Sequence, residues 1–130
     1  MIADTTFIID LMKKSPKALK KLEKIEEKKE RQLLTTPSVF ELVVGITMSS
    51  FPMKEKSKVL EILKKFSIIP FVLEDAWISG EILGNLYKEG NPIDVIDCQI
   101  AGTAIHHDQV VITRNTKHFE KIVDLVHEVY

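Results

Sequence analysis

The sequence predicts an α/β fold in which a parallel sheet of about five strands is flanked by helices. Short apolar segments alternate with helical patterns along the whole chain, as expected for strands joined by crossover helices. The chain has 130 residues, the usual size of one domain, so we expect a single domain over residues 1–130. The strand candidates are residues 1–4, 32–36, 67–73, 109–113 and 123–130, and the last of these is expected at an edge of the sheet.

Helical patterns fill the stretches between these strands. Thr5 or Thr6 is placed to cap a helix over residues 5–15. Residues 16–31 repeat apolar side chains at helical spacing, which predicts a second helix. The remaining helix candidates are residues 37–50, 54–66, 74–90 and 92–108.

Composition narrows the class of protein. Hydrophobic residues make up 45% and charged residues 28% of the chain, as in ordinary globular proteins. Cys98 is the only cysteine, which excludes an internal disulfide and suits a reducing, cytoplasmic environment. No stretch approaches the roughly 20 apolar residues of a membrane span, so we expect no membrane association. No glycine-rich phosphate-binding motif follows a strand candidate, which argues against a nucleotide-cofactor enzyme.

Charge is unevenly distributed, although the net charge is only −1. Nine of the 18 Lys and Arg residues lie between residues 13 and 31. Residues 89–109 contain none, but they include Asp94, Asp97 and Asp108. The sequence therefore predicts one basic surface and a separate acidic pocket.

Asp97 lies on the apolar face of the helix predicted over residues 92–108. A buried carboxylate without a partner is costly, so Asp97 must be paired, hydrogen-bonded, protonated or bound to a metal ion. A hydrogen bond to a buried backbone amide or to a Ser or Thr hydroxyl is the structural alternative. Its neighbours on this face, at about 100° per residue, are Ile93, Ile96, Ile100, Ala101 and Ala104.

Asp94 precedes Asp97 by about one helical turn. If Asn91 caps the helix and Pro92 is its first residue, Asp94 occupies the third helical position. An acid at that position can accept a hydrogen bond from the amide of the cap residue. Capping is therefore its main expected role, and assistance to a metal site is the alternative.

Glu41 is the only charged residue between Gln32 and Met53. Its neighbours are almost all apolar, which predicts a helix that is buried nearly all round. A buried glutamate requires a partner. That partner is either a bound cation or, as the structural alternative, Arg114 or a lysine.

Polar residues also follow two of the strand candidates. Asp4 ends the first strand, and Thr113, Arg114 and Asn115 end the fourth. Ligands of parallel sheets bind beyond the carboxyl ends of the strands, which places these residues in the candidate site. Helix capping is the structural alternative for Asp4. Asp10, two turns further on, is expected to be structural and paired with a lysine.

Asp4, Glu41 and Asp97 come from separate segments, and each is awkward to explain alone. Carboxylate oxygens without soft ligands suit Mg²⁺ or Mn²⁺. His106 and His107 are adjacent and diverge on a helix, so we expect them at the surface rather than among the ligands.

Four segments together resemble the PIN-domain ribonucleases, and most closely the VapC-like toxins of toxin–antitoxin pairs. The resemblance implies a PIN-like three-layer fold, metal-dependent endonucleolytic cleavage of RNA, and an antitoxin protein that blocks the site. The segments, in the family's order, are DTTFIID (4–10), FELVVG (40–45), DCQIAGTA (97–104) and VITRNTKHF (111–119).

The resemblance also implies roles for individual residues. Asp4, Glu41 and Asp97 match the family's acidic core, and Asn115 takes a fourth catalytic position that is often Asp. The implied ligands of Mg²⁺ or Mn²⁺ are Asp4, Asp97 and Glu41, with Asp94 supplying the missing acid. The implied substrate-binding residues are Thr5, Thr113 and Arg114.

Partners follow from the same resemblance and from the surface patterns. Lysines of residues 13–31 could guide RNA through phosphate contacts, although four interleaved glutamates equally favour a solvated helix face. Apolar helix faces at residues 59–66 and 76–83 could serve a homodimer, an antitoxin helix or the chain's own core. We expect a homodimer.

Two alternatives remain at this stage. A phospho-acceptor receiver domain has a similar architecture, but it requires an acid pair after the first strand, and Asp4 is followed by two threonines. It also leaves Glu41 unexplained. A non-catalytic PIN-like binding module is the second alternative, because Asn115 carries no charge.

Overall fold

The computed structural model describes residues 1–130 and contains five strands and seven helices. The strands are β1 (Ile2–Ala3), β2 (Leu33–Thr35), β3 (Ser67–Ile69), β4 (Val111–Thr113) and β5 (His127–Val129). The helices are α1 (Thr5–Met12), α2 (Pro16–Glu27), α3 (Thr36–Met48), α4 (Pro52–Leu63), α5 (Leu73–Lys88), α6 (Val95–His106) and α7 (Thr116–Phe119). None of the helices combines the length and apolar character needed to cross a membrane.

The strands form one parallel sheet in the order β3-β2-β1-β4-β5. Ile2 of the central strand pairs with Leu33 on one side and with Val111 on the other. The predicted parallel sheet of about five strands is therefore confirmed, and β5 lies at an edge as expected. Because β1 and β4 are neighbours, Asp4 and the residues after Thr113 meet at one edge of the sheet.

Helices cover both faces of the sheet, because successive side chains of a strand point to opposite faces. Ala3, Leu34 and Ile112 pack with buried residues of α1 to α4, including Phe7. On the other face, Ile2, Leu33 and Val111 pack with buried residues of α5, α6 and α7. This is the three-layer arrangement that the resemblance implied.

Several predicted helix ends differ from the structure. Helix α1 is capped by Asp4, whose side chain accepts from the Phe7 amide, rather than by Thr5 or Thr6. Helix α6 begins at Val95 with Asp94 itself as its cap, so the expected start at Asn91 and Pro92 is wrong. In both helices a carboxylate satisfies an amide that the first turn leaves unpaired, which fixes the starting residue.

The prediction that α3 is buried nearly all round is also wrong. Leu42 is buried, but Phe40, Val43, Val44 and Met48 are all exposed. The apolar residues of α3 exceed the surface that its neighbours in this chain cover. Helix α3 therefore presents an apolar face to its surroundings.

Gly102 allows α5 and α6 to pack closely. A Cβ atom at this position would lie 2.0 Å from Ser79 Oγ and 2.9 Å from the backbone oxygen of Asp75. The backbone of α5 cannot yield as a flexible side chain could, so even one methyl group forces the two helices apart.

Gly102→Ala is therefore expected to lower the free energy of unfolding by about 1–3 kcal/mol. Gly84→Ala is the matched control, since a Cβ there meets nothing within 4 Å and alanine favours a helix. Urea denaturation of both variants measures the difference. Equal stability of the Gly102 variant and the parent would contradict the close packing.

Candidate active site

The carboxyl ends of β1 and β4 place Asp4 beside Thr113. Asp4 is 1% exposed and accepts hydrogen bonds from the Phe7 amide (2.8 Å), the Thr6 hydroxyl (2.8 Å) and the Thr113 hydroxyl (2.5 Å). These donors hold both carboxylate oxygens in a fixed position. Asp4 thus both caps α1 and faces the end of the sheet.

Burial raises the pKa of the Asp4 carboxyl above its ordinary value. The hydrogen bonds from Thr113, Phe7 and Thr6 oppose this effect, and the charge of Asp97 raises the pKa further. A site that disfavours the carboxylate form in this way is stabilised by a cation.

Glu41 is held beside Asp4 by a threonine. The Thr5 hydroxyl donates to Glu41 Oε2 at 3.1 Å. Glu41 is exposed, so the expectation that it is buried is wrong, but partial burial of its carboxyl group still raises its pKa. The bond from Thr5 lowers the pKa of Glu41, and the charges of Asp97, Asp94 and Asp4 raise it. Carboxylates from three separate segments therefore lie close enough for their charges to interact, and we call Asp4, Glu41, Asp94 and Asp97 the acidic cluster.

Asp97 lies in the first turn of α6 and has its own polar partners. His118 Nδ1 contacts Asp97 Oδ2, and the Asn115 side-chain amide lies 3.4 Å from the same oxygen. Burial raises the pKa of Asp97, the hydrogen bond and charge of His118 lower it, and the charge of Asp94 raises it. The structural alternative of a Ser, Thr or backbone partner for Asp97 is not what the structure contains.

Asp94 is exposed and accepts from the Ile96 amide at 2.9 Å. Its predicted capping role is confirmed, although it acts as the cap residue and not from the third position. Its charge still reaches the cluster, because it raises the pKa values of both Glu41 and Asp97.

Arg114 does not pair with Glu41. It forms an ion pair with Asp10 Oδ2 (3.2 Å), which also accepts from the Tyr130 hydroxyl (2.8 Å). The lysine partner expected for Asp10 is therefore replaced by Arg114 and Tyr130. The Arg114 side chain remains 60% exposed, so part of the guanidinium stays accessible.

Sequence reasoning missed His118. It lies on the unpredicted one-turn helix α7, three residues after Asn115, whose side-chain amide lies 3.2 Å from His118 Nδ1. Asn115 and His118 are three residues apart, a spacing that suits one face of a helix. A helix of four residues is too short to be recognised from the periodicity of its apolar residues. The contact with Asp97 spans 21 positions in sequence and depends on tertiary structure.

The acidic residues suit a hydrated ion better than a closed cage. Asp4, Glu41, Asp94 and Asp97 do not place three ligand oxygens within 4.8 Å of one another. Mg²⁺ usually keeps several of its waters and is commonly bound through one or two carboxylates. The all-oxygen donor set, in which the pKa values of Asp4, Glu41 and Asp97 are raised, therefore fits a hydrated hard divalent cation.

A different group, Asp75, His106 and His107, does meet the 4.8 Å spacing. Asp75 is fully buried, accepts from the Val72 amide at 3.0 Å and contacts His106 Nδ1 at 2.6 Å. Its carboxylate thus joins the start of α5 to the end of α6. His106 and His107 are exposed, as predicted.

Cys98 is 1% exposed, and burial raises the pKa of its thiol to about 11. The thiol therefore stays protonated at neutral pH and acts as a small core side chain.

Comparison with known proteins identifies the family. The family model of the PIN domain matches residues 1–125. The chain belongs to the PIN-domain family. This result excludes the receiver-domain alternative. The acid pair that a receiver domain needs after its first strand is also missing, since Asp4 is followed by two threonines in this PIN domain.

Relatives of this PIN domain are VapC proteins. Ribonuclease VapC of Rickettsia bellii (strain RML369-C) is 43% identical over 60 residues, 46% of this chain and only 45% of that protein. Ribonuclease VapC1 of Haemophilus influenzae (strain R2866) is 30% identical over 125 residues, covering 94% of this chain and 91% of that protein. This PIN domain therefore belongs to the VapC group.

A solved structure extends the similarity to nearly every residue. VapBC2 from Rickettsia felis, bound to a DNA fragment from their promoter, has a TM-score of 0.91 and 25% sequence identity. The match covers 99% of this PIN domain and 97% of that chain. The similarity thus includes β1, α3, α6 and α7, which carry the acidic cluster and its partners.

Proposed function

We propose that this PIN domain, a single domain over residues 1–130, is a metal-dependent endoribonuclease and the toxin of a toxin–antitoxin pair. The observation that carries the proposal is the gathering of Asp4, Glu41 and Asp97 at the end of the sheet, where threonine hydroxyls and a side-chain amide hold their carboxylates. Relatives named as ribonucleases support RNA as the substrate. A cytoplasmic location agrees with the unpaired, buried Cys98.

In this proposal Asp4 and Asp97 would hold a Mg²⁺ or Mn²⁺ ion, and Glu41 would assist through a water. Such an ion, when bound, lowers the pKa of a bound water and offsets negative charge on a phosphate oxygen. Asp94 strengthens the negative potential while capping α6. Without a cation, the negative charges of these carboxylates would repel the RNA phosphates.

The remaining residues orient the reacting groups. Thr5 and Thr113 donate to Glu41 and Asp4, respectively, and so fix the directions of the two carboxylates. The side-chain amide of Asn115 lies beside Asp97 and adds no charge. The residue at the fourth catalytic position therefore orients Asp97 and does not bind the cation tightly. Arg114, held by Asp10, offers its exposed side to a phosphate.

An antitoxin segment fits a groove beside the acidic cluster. A cavity of about 320 Å³ lies between α1, α3 and α4, and Glu41 is part of its wall. A bound segment that fills the groove would reach the site and block RNA. The apolar residues of the wall include Ile9, Met12, Leu42, Ile46 and Val59.

A second copy of the chain fits the exposed face of α3 in this proposal. Phe40 and Val44, on successive turns, are 64% and 42% exposed. Phe40 also lines a shallow cavity with Val95 and Ile96 of α6, which continues the apolar surface towards Asp97. Such a surface is typical of homodimer interfaces.

Removal of the metal tests the nuclease proposal. RNA cleavage by the parent protein is expected to fall by at least on the order of 10³-fold in EDTA, because a bound metal contributes several kcal/mol to the transition state. Excess Mg²⁺ or Mn²⁺ should restore it. Gel analysis of a mixed RNA pool measures the rate, and cleavage that persists in EDTA would contradict a metal mechanism.

Calorimetry with Mn²⁺ separates the enzyme from a non-catalytic PIN-like module. Saturable binding together with cleavage supports the nuclease. Absence of both would favour the binding module.

A further inference from the structure

Asp97 is hydrogen-bonded on only one of its two carboxylate oxygens. His118 Nδ1 and the Asn115 amide both approach Oδ2, and no protein donor reaches Oδ1. Gln32 Oε1 is the only buried side-chain nitrogen or oxygen atom that lacks a hydrogen-bond partner. Asp97 Oδ1, which also lacks a protein partner, is therefore not buried. Oδ1 is therefore accessible to a ligand.

The surrounding groups determine which nitrogen of His118 carries the proton. The Asn115 amide nitrogen can only donate, and it has Asp97 Oδ2 within 3.4 Å. A carboxylate oxygen only accepts, so the contact between His118 Nδ1 and Asp97 Oδ2 requires a proton on Nδ1. Nδ1–H therefore donates to Oδ2, and the Asn115 amide, although 3.2 Å from Nδ1, donates to Oδ2 as well.

Helix α7 holds His118 rigidly, although it has only four residues. The next residue, Phe119, is fully buried in the core layer formed by α5, α6 and the sheet. The backbone N–H of Asn115 donates to the Thr113 hydroxyl at 2.8 Å, and this hydrogen bond joins the start of α7 to β4. The short helix that carries the imidazole is thus anchored at both ends.

We propose that His118 is the positioning residue for Asp97, holding Oδ2 so that Oδ1 is presented to the catalytic cation. This inference rests on the proposed nuclease function. A hydrogen-bond donor behind a metal-binding carboxylate fixes the orientation of that carboxylate.

Two variants of His118 distinguish positioning from other roles. His118→Ala removes the donor, whereas His118→Asn places an amide nitrogen close to the former Nδ1. The alanine variant is expected to lose Mn²⁺ affinity by roughly 10- to 100-fold, with a similar loss in kcat. The asparagine variant is expected to stay within a few-fold of the parent in both measurements.

Calorimetry with Mn²⁺ and RNA cleavage kinetics measure the two effects, and His127→Ala, a histidine on the edge strand β5, is the matched control. Unchanged Mn²⁺ affinity in His118→Ala would overturn the proposal. Restored Mn²⁺ affinity without restored kcat in His118→Asn would also overturn it, because the imidazole would then have another role. If the alanine variant does not fold, His118→Leu replaces it, since leucine keeps the volume and lacks a donor.

The calorimetric readout separates this inference from the function on which it rests. A parent protein that binds Mn²⁺ and cleaves no RNA would contradict the nuclease proposal. The dependence of Mn²⁺ affinity on His118 would still decide whether His118 positions Asp97.

Discussion

Replacing Asp4 with asparagine should reduce RNA cleavage by on the order of 10²- to 10³-fold, the loss typical of removing one charge-stabilising group from an active site. Asparagine keeps an oxygen that can accept from Phe7 and Thr6, and its amide can donate to the Thr113 hydroxyl. The cap of α1 is therefore preserved, while the negative charge that would hold a cation is lost. Initial rates on a mixed RNA pool in Mg²⁺ measure the effect.

Asp124→Asn is the matched control for this substitution. Asp124 is exposed and lies outside the acidic cluster, so its variant should cleave RNA at the rate of the parent. Thermal denaturation of both variants should give values close to that of the parent. A fully active Asp4 variant would remove Asp4 from the reaction and contradict the proposed metal site.

Phe119→Ala should have the largest effect on stability. Phe119 is 0% exposed and packs in the core layer beneath α7. Loss of a buried phenylalanine costs about 3–5 kcal/mol, a large fraction of the roughly 5–15 kcal/mol that stabilises a typical domain. Urea denaturation measures the free energy of unfolding.

Phe51→Ala is the control for the core substitution, because Phe51 is 70% exposed and should change stability by less than about 0.5 kcal/mol. If Phe119→Ala lost less than about 1 kcal/mol, α7 would not be anchored as the structure indicates. The rigidity attributed to His118 would then have no structural basis.

Much of the fold could be predicted from local patterns. Five short apolar segments alternating with helical periodicity correctly predicted the parallel sheet, because each strand or helix buries a face that its own residues define. Asp4, Glu41 and Asp97 could be singled out for a related reason. A carboxylate in an apolar context is costly, so its presence calls for an explanation.

Other features could not be predicted, because they depend on which elements meet. The apolar character of α3 predicted burial, yet the rest of the chain leaves Phe40 and Met48 exposed. Arg114 could have paired with any nearby acid, and only the packing of α1 against β4 and the C-terminal residues selects Asp10. From sequence, Gly102 is only a poor helix former, and its role in the close packing of α6 on α5 becomes visible only from its distance to Ser79.

The sequence by itself determined the succession of the five strands and of helices α1 to α6 along the chain, and the identity of the acidic residues. Periodicity and the cost of burying charge act within a few neighbouring residues, and both can be read from sequence. Only the tertiary structure decided that His118 contacts Asp97 and that Oδ1 of Asp97 stays free. Such contacts join residues far apart in the chain, and their geometry is set by how the helices pack on the sheet.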